Sequence, residues 1–131
     1  MDLAELNVLV VEDVNAMRVQ IRDLLKGIGF KKVVLAESVS SAKDMLEAGP
    51  VHLILCDWHM EPVDGLEFLR YVRVHPGHSA VAFVMITAES TKERVIEAIA
   101  SGLDDYIVKP LTAQIIQTRV KAVLQKKRVI E

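Results

Sequence analysis

The sequence has little of several features that would assign it to other classes of protein. Its 131 residues include a single cysteine, Cys56, which excludes an intramolecular disulfide scaffold. No apolar run approaches the roughly 20 residues of a membrane-spanning helix, and no internal repeat is present. The opening Met-Asp-Leu-Ala-Glu has neither the cationic nor the apolar region of a secretory leader. We therefore expect a cytoplasmic protein that has no membrane partner.

The charge and composition exclude two further classes. A formal net charge of -2 provides no broad basic field for a phosphate backbone, so we expect no nucleic-acid partner. With 51% hydrophobic and 26% charged residues, the chain can bury a core and is not intrinsically disordered. Its length fits one domain, which we expect to span residues 1–131 as a monomer.

Short apolar runs alternate along the chain with segments of helical period. Short continuous apolar runs, here of three to six residues, are typical of parallel strands that are buried on both faces. The segment after the first run has apolar residues at Met17, Ile21, Leu24, Leu25 and Ile28, which is the period of a helix. Asp64 and Thr112 are typical residues to cap two of the later helices. The five predicted strands are 8–11, 33–36, 53–56, 81–86 and 106–108.

Five strands alternating with five helices predict an α/β fold. We expect a doubly wound parallel sheet in the order 2-1-3-4-5, with helices on both faces and right-handed crossovers. In that order the strands are first added on one side of strand 1 and then on its other side, so the winding of the chain reverses between strands 1 and 3. A crevice opens at their carboxyl ends, and ligands of such sheets bind there.

Polar residues follow four of the predicted strands at this edge of the sheet. Glu12 and Asp13 follow strand 1, and Asp57 follows strand 3. Carboxylates crowded together need a counter-ion, and Mg²⁺ prefers oxygen ligands and keeps places for water and phosphate oxygens. Thr87 and Lys109 follow strands 4 and 5, where both could hold a phosphoryl group.

Each of these residues also has an ordinary structural interpretation. Asp13 could cap the helix that starts near Asn15, because aspartate favours such positions. Thr87 could be a turn hydroxyl and Lys109 a solvated surface lysine. The joint pattern argues otherwise, because all of these residues lie at the carboxyl ends of strands and none lies at the amino ends.

Six short motifs at these positions resemble one known family over the whole chain. They are Val10–Asp13, Asn15–Arg18, Cys56–Met60, Asp64–Glu67, Ile86–Glu89 and Tyr106–Thr112. The chain resembles the receiver domains of two-component response regulators, most closely the chemotaxis, CheY-like type. The resemblance implies a flavodoxin-like fold of the order given above, a receiver that spans residues 1–131, and a cis peptide bond before Pro110.

The resemblance also implies a phosphoacceptor and a metal site. Asp57 would accept the phosphoryl group, and Asp13 and Asp57 would bind Mg²⁺ directly. The backbone carbonyl of His59 would be a third ligand, and Glu12 would act through a water molecule. Glu12 replaces the more frequent aspartate, and Pro62 lies one residue later than in the commonest pattern.

The remaining roles concern the switch and its lifetime. Thr87 and Lys109 would contact the phosphoryl oxygens, and Tyr106 would turn inward when Thr87 moves. His59 and Glu89 would flank the approach of the hydrolytic water and so set the lifetime of the phosphoryl group. Such a protein catalyses only its own phosphoryl transfer and autodephosphorylation, and is not an enzyme that turns over a separate substrate.

The implied partners are a histidine kinase as phosphodonor and a downstream protein target. The target would bind the face of helix 4, strand 5 and helix 5, which includes Lys92, Val95, Tyr106, Val108 and Arg119. We expect a stand-alone switch, with flagellar motor control as the leading assignment. The complete set of crevice residues argues against a receiver that is never phosphorylated. A phosphatase that forms an aspartyl phosphate would carry a second aspartate two residues after the nucleophile, where this chain has His59. A receiver excised from a larger kinase or DNA-binding regulator stays open as an alternative.

Overall fold

The computed structural model describes residues 1–88 and 91–131. After a short 3-10 helix, Leu3–Glu5, strands and helices alternate along the chain. The strands are β1 Asn7–Val11, β2 Lys32–Ala36, β3 Leu53–Asp57, β4 Ala82–Thr87 and β5 Asp105–Val108. The helices are α1 Asn15–Ile28, α2 Val39–Ala48, α3 Gly65–Arg73, α4 Lys92–Ala100 and α5 Ala113–Lys126.

The five strands form one parallel sheet in the order β2-β1-β3-β4-β5. Val8 of β1 is aligned with Val33 of β2 on one side and with Leu53 of β3 on the other. The direction in which successive strands are added to the sheet therefore reverses at β1. This confirms the predicted fold class and the predicted strand order. The crevice at the carboxyl ends of β1 and β3 follows from that order.

The core lies on both faces of the sheet. Side chains of β1 alternate between two buried clusters, with Leu9 and Val11 in one and Val8 and Val10 in the other. Helices α2, α3 and α4 cover the first cluster with Ala42, Leu46, Leu66, Leu69, Val72 and Ala98. Helices α1 and α5 cover the second with Ile21, Leu25, Ile116, Val120 and Leu124. Because both faces are covered, polar chemistry is confined to the ends of the strands.

Local signals at the helix ends agree with the structure in most places. Asp64 accepts a hydrogen bond from the Glu67 backbone N–H at the start of α3, and Thr112 caps α5 in the same way. The N-cap of α1 is Val14, which makes no side-chain cap, so the interpretation of Asp13 as a helix cap is wrong. Asp13 is thereby left available for another role.

Two peptide bonds that precede proline are cis. The Lys109–Pro110 peptide is cis, as the resemblance predicts, and Glu61–Pro62 is also cis, which was not predicted.

Among the helices in the described part of the chain, none is long and apolar enough to cross a membrane.

Candidate functional site

Three carboxylates meet where β1 and β3 end. The two strands are neighbours, and Val11 is aligned with Cys56, so the residues that follow them lie side by side. One carboxylate oxygen from each of Glu12, Asp13 and Asp57 lies within 4.8 Å of the others. Glu12 and Asp57 are 1% and 5% exposed, whereas Asp13 is open to solvent. The group therefore has a buried side and a wet side.

Burial and mutual repulsion make this arrangement unfavourable without a cation. Burial, followed by the nearby negative charge of Asp57, raises the pKa of Glu12 to about 7. Glu12 Oε1 accepts a hydrogen bond from the Val14 N–H at 3.2 Å, but Oε2 is buried and has no hydrogen-bond partner among the described residues. A hard divalent cation would satisfy that oxygen and offset the repulsion. The acidic group thus has the donor chemistry to hold a metal ion.

Lys109 reaches the same crevice from the end of β5. Its Nζ lies 3.7 Å from Asp57 Oδ1 and 4.0 Å from Glu12 Oε2. The Lys109 backbone N–H donates to the Thr87 carbonyl at 2.8 Å, which fixes the end of β5 against the end of β4. The ammonium is therefore an internal counter-ion to the acidic group, and the surface interpretation of Lys109 is wrong.

Thr87 and His59 are in contact with each other in the same crevice. Thr87 is fully buried at the end of β4, and its Oγ1 lies 3.3 Å from Nε2 of the exposed His59. The backbone N–H of His59 points to Asp57 Oδ1 at 3.4 Å. His59 thus contacts the aspartate through its backbone and the threonine through its ring.

The two remaining predicted residues are placed differently. Tyr106 lies on β5, aligned with Met85, and its half-buried ring packs against the cluster under α2, α3 and α4. Met85 lies two residues before Thr87, so the tyrosine is one strand away from the threonine. Glu89 lies outside the described residues.

The sequence matches the family described as "Response regulator receiver domain" over residues 8–121. That range includes every residue of the sheet except Asn7, and all of the crevice. The chain belongs to this family.

Curated relatives of this receiver include chemotaxis proteins. It is 31% identical to "Chemotaxis protein CheY" of Pseudomonas aeruginosa over 121 residues, which cover 92% of this chain and 98% of that protein. It is also 31% identical to "Chemotaxis protein CheY-3" of Vibrio cholerae, over 92% of this chain and 93% of that protein. The receiver is therefore of the CheY-like type.

Solved structures have the same fold. Vibrio cholerae chemotaxis protein CheY4 superposes with a TM-score of 0.86 at 25% identity, covering 91% of this chain and 98% of that one. A probable two-component system response regulator/GGDEF domain protein superposes with a TM-score of 0.87 at 24% identity. It covers 96% of this chain but only 52% of that chain, so there the same fold is part of a longer protein.

Two arginines of the receiver site were missed by the sequence analysis. Arg18 donates to the Glu12 carbonyl and to Asn15 Oδ1, both at 2.9 Å. The Arg94 guanidinium lies 4.9 Å from the centre of the Trp58 ring, at the mouth of the crevice. Side chains in the first turns of a helix point back toward its start, and that rule could have placed Arg18 beside β1. No comparable signal identifies Arg94.

Proposed function

We propose that this receiver is a stand-alone switch, residues 1–131, that accepts a phosphoryl group on Asp57 from the phosphohistidine of a partner kinase. We further propose that the reaction depends on Mg²⁺ and occurs in the cytoplasm. The output would be chemotaxis or flagellar motor control, transmitted by a monomer through protein contacts. Relatives of nearly the same length named as chemotaxis proteins support this assignment.

One observation carries the proposal: the Asp57 carboxylate lies beside both an ammonium and two further carboxylates. The Lys109 Nζ is 3.7 Å away, and an oxygen each from Glu12 and Asp13 lies within 4.8 Å. A carboxylate in that position is a nucleophile with both a positive charge and potential cation ligands beside it. Phosphoryl transfer requires this combination, because its catalysis is mostly positioning and charge neutralisation.

The residues would share the work of the transfer. A bond forms between an Asp57 oxygen and phosphorus while the phosphorus–nitrogen bond of the phosphohistidine breaks, and the departing imidazole keeps the electron pair. Lys109 and Thr87 would hold two of the phosphoryl oxygens. Bound Mg²⁺ would neutralise charge on the phosphoryl group, held by Asp13, Asp57 and the His59 carbonyl, with Glu12 acting through water.

The reverse of the signal is hydrolysis of the aspartyl phosphate. Water attacks phosphorus in line with the Asp57 oxygen, which leaves as a carboxylate, and inorganic phosphate is released. The His59 ring lies on the exposed side of the crevice against Thr87, where it could block or orient that water. Glu89 is proposed to act from the other side of the water's approach.

The proposed output face is formed by α4, β5 and α5. Large apolar side chains are exposed there, and a cavity of about 470 Å³ lies between β5 and α5. Such an exposed apolar surface is typical of a site for a protein partner. The exposed apolar residues are Ile96, Ile99, Val108 and Ile115, and Lys92, Val95, Tyr106 and Arg119 belong to the same face.

A receiver that belongs to a larger regulator is the second candidate. The solved response regulator/GGDEF domain protein, of which the chain covers 52%, is the observation in its favour. Measuring the size of the native protein in cell extract with a specific antibody would separate the two. A native protein of 131 residues supports the stand-alone switch, and a much longer one supports the larger regulator.

The test of phosphorylation is incubation of the pure protein with Mg²⁺ and acetyl phosphate, followed by intact mass measurement. We expect one added phosphoryl group, which disappears in Asp57→Asn and without Mg²⁺. Asp64→Asn is the matched control, because Asp64 lies in the following loop and caps α3. No added group in the parent protein, or an added group in Asp57→Asn, would overturn the proposal.

A further inference from the structure

We propose that Arg18 is a positioning residue for the metal site, which holds the turn between β1 and α1 so that Asp13 faces the cation. This rests on the proposed function, because it assigns a role toward the proposed Mg²⁺. Arg18 does not itself bind the ion. Its contribution is the conformation of the backbone on either side of Asp13.

The two hydrogen bonds of the guanidinium flank Asp13 in the sequence. Nη1 donates to the backbone carbonyl of Glu12, one residue before, at 2.9 Å. Nη2 donates to the side-chain oxygen of Asn15, two residues after, at 2.9 Å. A planar guanidinium with two donors used in different directions joins the end of the strand to the start of the helix. Lysine, with a single ammonium on a flexible stem, cannot reproduce that geometry.

Asp13 itself has no other support. Its carboxylate is exposed, and within residues 1–88 and 91–131 it makes no hydrogen bond or ion pair. Glu12 differs, because it is buried and one of its oxygens accepts from the Val14 N–H. The direction of the Asp13 side chain therefore depends on the backbone. Arg18 holds this backbone through the Glu12 carbonyl and through the side chain of Asn15, in addition to the bond between the Val14 N–H and the Glu12 carboxylate.

Two physical effects of removing Arg18 have opposite signs. If the guanidinium acted only through its charge, its removal would strengthen binding of a cation nearby. If it positions Asp13, removal would weaken binding, because partners that orient metal ligands affect affinity by about 10-fold or more. The sign of the change in Mg²⁺ affinity thus separates positioning from simple electrostatics.

The experiment is calorimetric titration of the full chain with MgCl₂. We expect Arg18→Gln and Arg18→Lys each to weaken Mg²⁺ binding by about 10-fold, the lysine variant doing so although it keeps the charge. Arg22→Gln is the matched control, since Arg22 lies one turn later on α1 and, within the part of the chain that the structure describes, pairs only with its exposed neighbour Asp23. Its Mg²⁺ affinity is expected to equal that of the parent.

A metal-free measurement separates positioning from loss of the fold. Hydrogen exchange without Mg²⁺ is expected to accelerate at the Val14 amide in both Arg18 variants, while the buried amides of β1 and β3 keep their protection. If the buried amides lose protection in Arg18→Gln, the test relies on Arg18→Lys, which is the smaller change. In addition, saturating Mg²⁺ is expected to restore the rate of phosphorylation of Arg18→Lys by acetyl phosphate.

The outcomes distinguish this proposal from the one on which it rests. Normal Mg²⁺ binding by the parent, with equal or tighter binding by both Arg18 variants, would overturn the role of Arg18 alone. Unchanged exchange at the Val14 amide would do the same. Absence of Mg²⁺ binding in the parent would overturn the metal site of the proposed function, and the role of Arg18 with it.

Discussion

At the scale of single residues, the chemistry of the crevice comes from groups that are unfavourable in isolation. Burial raises the pKa of Glu12, and Asp57 adds like charge beside it. Lys109 offsets part of this cost from 3.7 and 4.0 Å. Each of these side chains would be a poor choice for stability alone. Their convergence at one edge of the sheet therefore argues for function.

His59 leads to the first prediction, at the same scale. Removing the ring in His59→Ala opens the exposed side of the crevice beside Thr87, so we expect dephosphorylation to accelerate by roughly 3- to 10-fold. Mg²⁺ affinity is expected to stay unchanged, because only the backbone carbonyl of His59 is proposed to bind the ion. Phosphoryl loss followed by intact mass and titration with MgCl₂ measure the two quantities.

Glu61 provides the control for that experiment. It is exposed in the same loop and lines the same cavity as His59, so Glu61→Ala is expected to leave the rate as it is. Equal dephosphorylation rates in His59→Ala and the parent would leave His59 as an ordinary loop residue. A loss of Mg²⁺ affinity in His59→Ala would instead indicate that the ring itself contributes to the metal site.

At the scale of secondary-structure elements, the junction of β3 and α3 is packed too closely for a side chain. A Cβ on Gly65 would lie 2.6 Å from the Asp57 carbonyl oxygen and 2.7 Å from Met85 Sδ. We expect Gly65→Ala to reduce the free energy of unfolding by about 1–3 kcal/mol, because such overpacking forces the backbone to move. Urea unfolding measures the change.

A matched substitution exists in another helix. A Cβ on Gly27, inside α1, would have no atom within 4 Å. Gly27→Ala is expected to raise the free energy of unfolding by up to about 1 kcal/mol, since alanine loses less backbone entropy in a helix. If the two variants have equal stability, the close approach at Gly65 is not a constraint.

The start of the sheet gives a prediction on pH. His52, before β3, accepts a hydrogen bond from the Asn7 N–H through Nδ1 at 2.9 Å and donates its own backbone N–H to the Asn7 carbonyl. Partial burial, followed by the charge of Lys32, lowers the pKa of His52 from 6.5. The folded state therefore favours the neutral ring. The stabilisation that the neutral His52 ring contributes is present above the pKa of His52 in the unfolded chain. It is lost as pH falls through the lower pKa of His52 in the folded state.

Urea unfolding between pH 7.5 and 5 tests this dependence. We expect the parent to lose stability toward acid more steeply than His52→Gln, whose amide does not titrate in this range. His75→Gln is a useful comparison, because that ring pairs with Glu47 and is not held as an acceptor for the sheet. If the free energy of unfolding of the parent and of His52→Gln falls with the same slope toward acid, His52 does not cause the pH dependence.

How much the sequence predicts also depends on the element. All five strands were predicted because each is a continuous apolar run, although only β1, β3 and β4 are buried almost throughout. Asp64 and Thr112 marked two helix starts correctly. The crevice followed from strand order alone. The bonds of Arg18 and the contact of His59 with Thr87 were not predicted, because they depend on side-chain directions between elements that no local pattern records.

At the scale of the whole molecule, two neighbouring strands connect the crevice with the proposed output face: β4 ends in the crevice, and β5 is part of the face. Thr87 ends β4 in the crevice, and Tyr106 on β5 is aligned with Met85, two residues before it. The Tyr106 ring is half-buried, so a more buried arrangement of the ring would differ measurably from the present one. A switch requires an element with two such arrangements. Phosphorylation would draw Thr87 toward the phosphoryl oxygens and open space for the ring.

The last prediction follows from that coupling and needs no knowledge of the target. The chain has two tyrosines, so fluorotyrosine labelling gives two ¹⁹F signals, and Tyr106→Phe assigns them. With Mg²⁺ and acetyl phosphate we expect the Tyr106 signal to move as its ring becomes buried. The Tyr71 signal is expected to stay, because that ring stacks against Phe68 on α3, away from the switch.

In Thr87→Ala, Asp57 is still expected to be phosphorylated at a reduced rate, but the Tyr106 signal should not respond. A Tyr106 shift of parental size in phosphorylated Thr87→Ala would show that the ring moves independently of the threonine, and the signal would then have to leave the crevice by another route.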